Sequence, residues 1–364
     1  VVESLVIPET AQAFEGVTQA FLVLICRKGE RTVSLEPVVW DGVSPAPRAA
    51  HTAINTDLVE RLGYRIPLLR SPREKALLET LMMHPRLGGD ERVPRIAQVH
   101  QGEMNLTVDR AHMTASRTDY PLIRGEHVMP LRICHPSRQE GRLDWIVPDF
   151  PDKEINARLA AKDGGKDSGG AAFRHPFVWE KDRIVLGRVV NMETPRRLKA
   201  AAVSGCQFLG DMTNYIADAT LPSAYLLGVL NSRVLNWRIR LTSTNNYLSA
   251  TEVEALPVPR PVMSGLPQVT VSRTKLDLLA LFASSERSLH EWIDELKRVI
   301  HRAGPQSAQS MTAHLVAWIA DEIQHTPEQA GDVRNPTGNR WTALDAAVLL
   351  LYGCDEYADV LLEA

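Results

Sequence analysis

The spacing of apolar residues changes along the chain, from the two-residue alternation of strands to the three- and four-residue steps of helices. Residues 17–27 are apolar and β-rich, Lys28-Gly29-Glu30 makes a turn, and residues 32–40 resume the pattern, so a hairpin is expected. Residues 57–62 predict a short helix. Ser71-Pro72-Arg73-Glu74 predicts a stronger one: serine as N-cap, proline at the first helical position, glutamate three residues after the cap. Leu77, Leu78, Leu81 and Met82 give that helix an apolar face, and Pro85 ends it. From 93 to 260 short β-like runs alternate with turns, with candidate strands at 96–99, 121–123, 128–133, 183–191, 200–203 and 207–209. A long apolar helix is expected over 222–241, with Thr220 and Pro222 as start signals. A polar loop, a short helix and a Leu256-Pro257-Val258-Pro259 stop follow it. Pro257, Pro259, Pro261 and Pro267 mark a linker. Beyond it Leu276, Leu279, Ala283, Leu289, Ile293, Leu296 and Ile300 predict an amphipathic helix stopped by Gly304. A second helix is expected over 310–325, with Leu315, Ile319 and Ile323 on one face, and a third from Trp341 to Gly353.

These elements define an α+β expectation in four parts: a short hairpin (1–45), a helical connector (46–92), a mixed, β-rich domain with a long packed helix (93–260), and an all-α domain (261–364). The length of 364 residues, 44% apolar and 23% charged, suits two or three globular domains. No apolar run reaches the roughly 18 residues of a membrane span, and no signal peptide is visible, so no membrane partner is expected. The chain begins at Val1 without an initiator methionine, and a piece of a longer protein is the expectation. Cys26, Cys134, Cys206 and Cys354 are far apart with no Cys-x-x-Cys pair, which argues against zinc ribbons and disulfide frameworks and for a reducing, cytoplasmic setting.

The net charge of −3 hides a division. Residues 86–260 hold 24 Lys and Arg, 19 of them Arg, against 20 Asp and Glu, whereas residues 261–364 hold 8 against 14. An arginine-rich middle suits phosphates and guanine edges. A mildly basic surface with ordinary ion pairs would look the same.

Catalytic motifs are missing. Adenine methylation needs a cofactor loop and an Asn/Asp-Pro-Pro-aromatic tetrapeptide; Asn335-Pro336-Thr337-Gly338 lacks the second proline and the aromatic. Residues 164–170 are glycine-rich but not a phosphate-binding P-loop, since no Ser or Thr follows the lysine. Asp144, Asp149, Asp152, Lys153 and Glu154 invite comparison with a nuclease metal site, but Pro148 and Pro151 make the segment a loop. No Gly-x-Ser-x-Gly elbow is present.

Five segments in order resemble the C-terminal target-recognition and helical region of adenine-specific DNA methyltransferases of restriction–modification systems (type IIG, Eco57I-like, or Alw26I/Eco31I/Esp3I-like). They are the N-terminal hairpin; Gly102 through Asp109-Arg110 to Arg124-Gly125; the basic run Arg183, Arg188, Asn191, Arg196-Arg197; the Asn231-Ser232 helix with the loop at Thr242, Ser243, Thr244, Asn245 and Asn246; and the tail Leu344-Asp345 to Tyr352-Gly353, where Cys354 stands for the usual leucine. The resemblance implies a double-stranded DNA reader, with the catalytic domain, S-adenosylmethionine and the extruded adenine elsewhere in the parent chain. It implies no cofactor and no catalytic residue in this part. Arg196, Arg197 and Lys199 become candidates for phosphate contacts. Arg238, Arg240, Thr242, Ser243, Asn245 and Asn246 become candidates for base or backbone contacts, joined by Arg110, Arg124 and Arg188. Asn231, Ser232, Gly125, Leu256 and Pro257 read as structural, the first two as a polar break that caps or bridges packed elements. Two other classes remain open: a free-standing nuclease, and a protein-interaction scaffold whose helical arm is the working part.

Overall fold

The structure is a computed structural model and describes residues 2–8, 23–29, 32–40, 48–49, 52–67, 69–134, 141–151, 178–190, 194, 196–243, 246–263, 266, 268–326 and 336–363. Asn191, Thr244, Asn245, Asn335, residues 152–154 and the glycine-rich 164–170 lie outside these, as does all of the run 14–22.

The fold is α+β. Its central sheet is antiparallel, in the order Ala200–Val203, Arg183–Gly187, Thr213–Ile216, His100–Gln101. Arg183–Gly187 is buried along its whole length because both sheet faces are covered. Alternation sorts its side chains. Ile184 and Leu186 enter the main core with the helices, while Val185 joins Ala201, Val203 and Tyr215 against Ile123, Val128 and Leu209 on the other face. The strand Thr213–Ile216 escapes the sequence pattern: its Thr and Asn are polar, yet both are buried. Asn214 donates to the Leu248 carbonyl at 2.8 Å, which explains how a polar residue is tolerated there.

The N-terminal hairpin is corrected. Val23–Cys26 and Pro37–Trp40 do not pair with each other; both flank Val2–Pro8, the first antiparallel and the second parallel. The turn signal at Lys28-Gly29 is local, but the strand that wins the pairing comes from further away in sequence.

The connector carries α1 (Thr56–Arg61) and α2 (Pro72–Leu81). The Ser71 hydroxyl accepts from Glu74 N as expected, while the Glu74 carboxylate reaches back to Arg70 N rather than to Ser71.

The long helix expected over 222–241 is two: α3 (Ser223–Leu230) and α4 (Arg233–Arg240). Asn231 ends the first and Ser232, in extended backbone, N-caps the second. The break serves the sheet. Asn231 Nδ2 donates to Ala200 O at 2.8 Å and its Oδ1 accepts from Ala200 N at 3.0 Å. Asn236 does the same to Leu198, two residues back along the same edge (2.9 and 3.3 Å). Two side-chain amides thus take the place of a neighbouring strand and close a buried sheet edge. α5 (Ala250–Glu254) follows, opened by a Ser249/Glu252 capping box.

The helical arm comprises α6 (Gln268–Phe282), α7 (Leu289–Arg302), α8 (Ala308–His325), α9 (Asn339–Tyr352) and α10 (Ala358–Glu363). The single helix expected through Leu276 and Ile300 is therefore divided. The six-residue step from Ala283 to Leu289 breaks the phase, and a Ser288/Glu291 capping box starts α7. Leu276 is 67% exposed, and Leu278 and Phe282 supply the buried face instead. Gly353 stops α9 in left-handed conformation (φ 66°), as its position suggests. α3 packs directly on α8: a Cβ on Gly228 would lie 2.9 Å from the Val316 carbonyl. One hydrophobic cluster runs from Leu35 to Leu361 and crosses the expected boundaries at 92/93 and 260/261. The segment Leu256–Pro259 is a strap in this core, accepting from the buried hydroxyls of Tyr352 (at Pro257 O, 2.7 Å) and Tyr225 (at Pro259 O, 2.9 Å).

Asn231→Ala is expected to lower stability by about 2–3 kcal/mol, because it leaves the Ala200 amide buried without a partner. The urea midpoint should fall at unchanged slope. Cys354 is buried, and its thiol is pushed up to about 12 by burial first and then by Asp355 and Glu356. A thiol reagent near neutral pH should label exposed Cys26 and Cys206 promptly and Cys354 only after unfolding; prompt labelling of Cys354 in the folded chain contradicts this packing.

Candidate nucleic-acid interface

The motif arginines divide into buried and exposed sets. Arg196 is buried. Its Nη1 donates to Asn231 O at 2.6 Å, its Nη2 to Asp345 Oδ2 at 3.3 Å, and its guanidinium lies 4.9 Å from the Trp341 ring centre. Burial lowers its pKa from the usual arginine value, and Asp345 opposes that. Asp345, on α9, also accepts from the Arg233 backbone N at 2.7 Å and from Arg233 Nε at 3.2 Å, so it caps the start of α4. Three of the five resembling segments, the Arg196-Arg197 run, the Asn231-Ser232 break and the Asp345 tail, therefore meet in one internal polar node.

The expectation that Arg196 and Arg197 touch phosphates is corrected by this burial. Arg197 is buried and donates from Nη1 to Ser243 O at 3.3 Å. Burial lowers its pKa, Glu252 raises it and Arg240 lowers it. Ser243 is buried too, which removes it as a base contact, and its carbonyl serves as the acceptor for Arg197. Arg238 is also buried, with Nη1 donating to Thr242 Oγ1 at 3.1 Å. Both side chains are turned into the protein rather than toward a duplex, since a guanidinium needs a full set of acceptors and the loop backbone offers some. Arg183 pairs with Glu103 at 2.8 Å in the sheet core; burial pushes that carboxyl up, against the pull of Arg183.

Arg124 is half-buried and ion-paired. Its Nε donates to Asp144 Oδ1 at 3.0 Å and its Nη2 to Leu143 O at 2.6 Å. Arg142 joins the same carboxylate, so Asp144 is an anchor for two arginines. Gly102 and Gly125 answer to packing. A Cβ on Gly102 would meet Gly210 O at 2.0 Å, and one on Gly125 would meet Met212 O at 2.6 Å.

A smaller set faces solvent. Past Gly187 the chain pairs with the segment after the polar loop: Val190 N donates to Asn246 O, Leu248 N to Arg188 O, and Val189 bridges Tyr247. This two-stranded tip carries Tyr247, 49% exposed, and Val189, 42% exposed, beside the exposed Asn246. The half-buried Arg188 lies over the Tyr247 ring, 5.9 Å from its centre, while Nη1 donates to Asp211 O at 3.0 Å. A guanidinium over an aromatic face, next to an amide, can bind a phosphate, stack on a base or read a base edge. Arg240 is exposed at the last position of α4, and Thr242 and Lys199 are half-buried. Arg110 is exposed in the 3-10 turn Val108–His112, apart from the tip in sequence and element. Tyr247 and Val189 were not singled out by sequence reasoning; the signal was Tyr247 directly following Asn246, an aromatic at the edge of a polar loop.

Among the described residues no group of three or more His, Cys, Asp or Glu is placed to hold a metal ion, and no helix is long and apolar enough to cross a membrane. No protein-family model matches the chain. No curated protein matches it. Among solved structures, the type IIL restriction–modification enzyme MmeI in complex with DNA is similar at a TM-score of 0.35 and 13% identity, over 92% of this chain and 41% of that enzyme. The chain thus spans about two fifths of that enzyme's length.

Asp345→Asn is expected to destabilise by about 3–5 kcal/mol, because it leaves the Arg196 charge buried without a counter-ion. Chemical denaturation measures it, and a change below about 0.5 kcal/mol would show the node to be slack.

Proposed function

We propose that this chain is the sequence-reading part of an adenine-specific methyltransferase of a restriction–modification system, gripping duplex DNA while a catalytic domain of the same parent protein performs the chemistry. The observation that carries this reading is the exposed tip where Arg188, Asn246 and Tyr247 stand together at the end of the central sheet. The central sheet holds it, and buried Arg197 is bonded to the Ser243 carbonyl. Arg188 and Tyr247 are suited to backbone and stacking contacts, Asn246 to a base edge. Arg240, Thr242, Lys199 and Arg110 extend the candidate contact surface. The ordered motifs of the sequence support the same assignment. S-adenosylmethionine would be bound in the catalytic domain, and the setting would be cytoplasmic. Val23, Leu24 and Ile25, exposed on the edge strand Val23–Cys26, offer an apolar surface of the kind such a domain would cover.

Fluorescence anisotropy with labelled duplexes tests the reading. The chain should bind duplex DNA with an affinity that falls steeply with salt, and should transfer no methyl groups. Arg188→Ala and Tyr247→Ala should each weaken binding about tenfold at unchanged melting temperature. Arg196→Ala should instead lower stability and leave the affinity of the folded chain intact. Affinity that is flat with salt, or indifferent to Arg188 and Tyr247, refutes the assignment.

A further inference from the structure

The helical arm carries a groove of about 1060 Å³ where the last turns of α7, the first turns of α8 and the end of α9 meet. Ile300, Leu350 and Leu351 give it an apolar floor, and Lys297, Arg298 and Arg302 stand exposed along its wall. The charge of that wall departs from the rest of the arm. Residues 261–364 hold 8 Lys and Arg against 14 Asp and Glu, yet three of those 8 line the groove and, among the described residues, no Asp or Glu does. Each cation has a carboxylate partner outside the lining: Lys297 pairs with Asp355 at 2.5 Å, Arg298 with Glu295 at 2.9 Å and Arg302 with Asp277 at 3.2 Å. All three cationic side chains are more than half exposed. Ion pairs of that kind are weak in water, so an incoming carboxylate can share or displace the resident one.

A second apolar surface adjoins the first. Asp277 belongs to α6, and its bond to Arg302 sets that helix beside the rim. α6 turns Leu276 and Leu279 outward, with Ala280 and Ala283 exposed as well. These four lie at steps of three, one and three, which is one face of a helix. Leu278 and Phe282 are the residues that α6 gives to the core, so packing does not account for the outer stripe. Apolar surface edged by polar groups marks a place where another protein settles. A small ligand would need to be enclosed on most sides, whereas this surface continues past the rim onto α6.

We propose that this face of the helical arm docks an acidic amphipathic helix of a partner protein. Its apolar side chains lie on Ile300, Leu350 and Leu351, and its carboxylates meet Lys297, Arg298 and Arg302. Charge complementarity selects the occupant: an apolar floor alone would accept any amphipathic helix, and a cationic wall without carboxylates favours an acidic one. The docking face stands independently of the DNA-reading assignment.

Fluorescence anisotropy with the purified chain tests it. The probe is a labelled synthetic helix of about 18 residues, with leucine at i, i+3, i+4 and i+7 spacing and glutamate on the flanking positions. It should bind saturably. The same peptide with lysine for glutamate, or with serine for leucine, should bind at least about tenfold more weakly. Arg298→Gln with Arg302→Gln should weaken the acidic peptide about tenfold and shift the melting temperature by less than about 2 °C, since only exposed ion pairs are lost. Leu350→Lys is the second variant. It should also weaken binding although it adds a cation, because it removes part of the floor; tighter binding there would reveal ionic attraction without docking and overturn the proposal. Absence of saturable binding, or equal binding of the acidic and lysine peptides, overturns it too. Displacement of the peptide by unlabelled duplex assigns the groove to nucleic acid, and uptake of dodecanoate without uptake of the peptide assigns it to a small ligand; either result overturns the docking face. A chain that takes the peptide but binds no duplex leaves the docking face standing and removes the DNA reading.

Discussion

Arg196 holds three parts of this molecule at one point. Its guanidinium bonds Asn231 O, at the junction of α3 and α4, and Asp345 on α9, and packs on Trp341 from the same helix. Asn231 in turn closes the edge of the central sheet at Ala200. Sheet, helix break and helical arm are thus joined through polar groups that have no access to water. In such an interior a hydrogen bond is strong and an unpaired group is costly, so the arrangement admits few alternatives. Leu227, Val229 and Leu230 could pack in several registers against α8 on hydrophobicity alone. The bonds of Asn231 to Ala200 and of Asp345 to Arg233 select one. Buried polar groups acting as register devices have precedent in helical assemblies.

That node changes the meaning of the motifs. Segments that resemble a recognition domain in sequence are, in three cases of five, internal joints. Gly102 and Gly125 are places where two backbones approach too closely for a Cβ. What such motifs specify is the platform. The groups able to meet a ligand lie on the platform's rim, at Arg188, Asn246 and Tyr247, whose types suit contact but whose context in sequence is unremarkable. A platform held by a buried node and a rim free to vary is a physically sensible division for a protein that must present different contacts on one scaffold.

The legibility of the chain follows the range of the interactions involved. Ser71 as a cap, Gly353 as a stop and the strand Arg183–Gly187 could be read because their signals are local: a hydroxyl accepts from an amide three residues on, and the run Ile184-Val185-Leu186 favours extended backbone. The break at Asn231-Ser232 was anticipated as a polar bridge, although the helices flanking it were expected to be continuous. Illegible were the pairings decided far along the chain. Nothing in residues 23–40 indicates that Val2–Pro8 will insert between the two strands. Nothing in residues 210–217 indicates that Asn214 will meet Leu248. The burial of Arg196, Arg197 and Arg238 was misread for the same reason: a run of charge looks solvated until the acceptors that enclose it are known.

The charge balance calls for the same reinterpretation, because it bears on what a chain with net charge −3 presents to solvent. Counting arginines between 86 and 260 overstates the surface potential. Arg183 and Arg196 are neutralised internally, Arg124 and Arg142 share Asp144, and Arg132 donates to the carbonyls of Ile323 and Thr326, fastening the short antiparallel pair Val128–Met129 and Arg132–Ile133 to the end of α8. Attraction by a broad basic field is therefore a poor description of this molecule. What remains is a few cations in defined positions: Arg188 held over an aromatic ring and Arg240 at the end of α4. Such groups gain by being preorganised, since the entropy of fixing a guanidinium is spent in folding rather than in binding. Contacts made by such groups depend on fit at a small number of positions. Any selectivity they confer comes from geometry more than from net charge, which is consistent with an acidic helical arm sharing the same core.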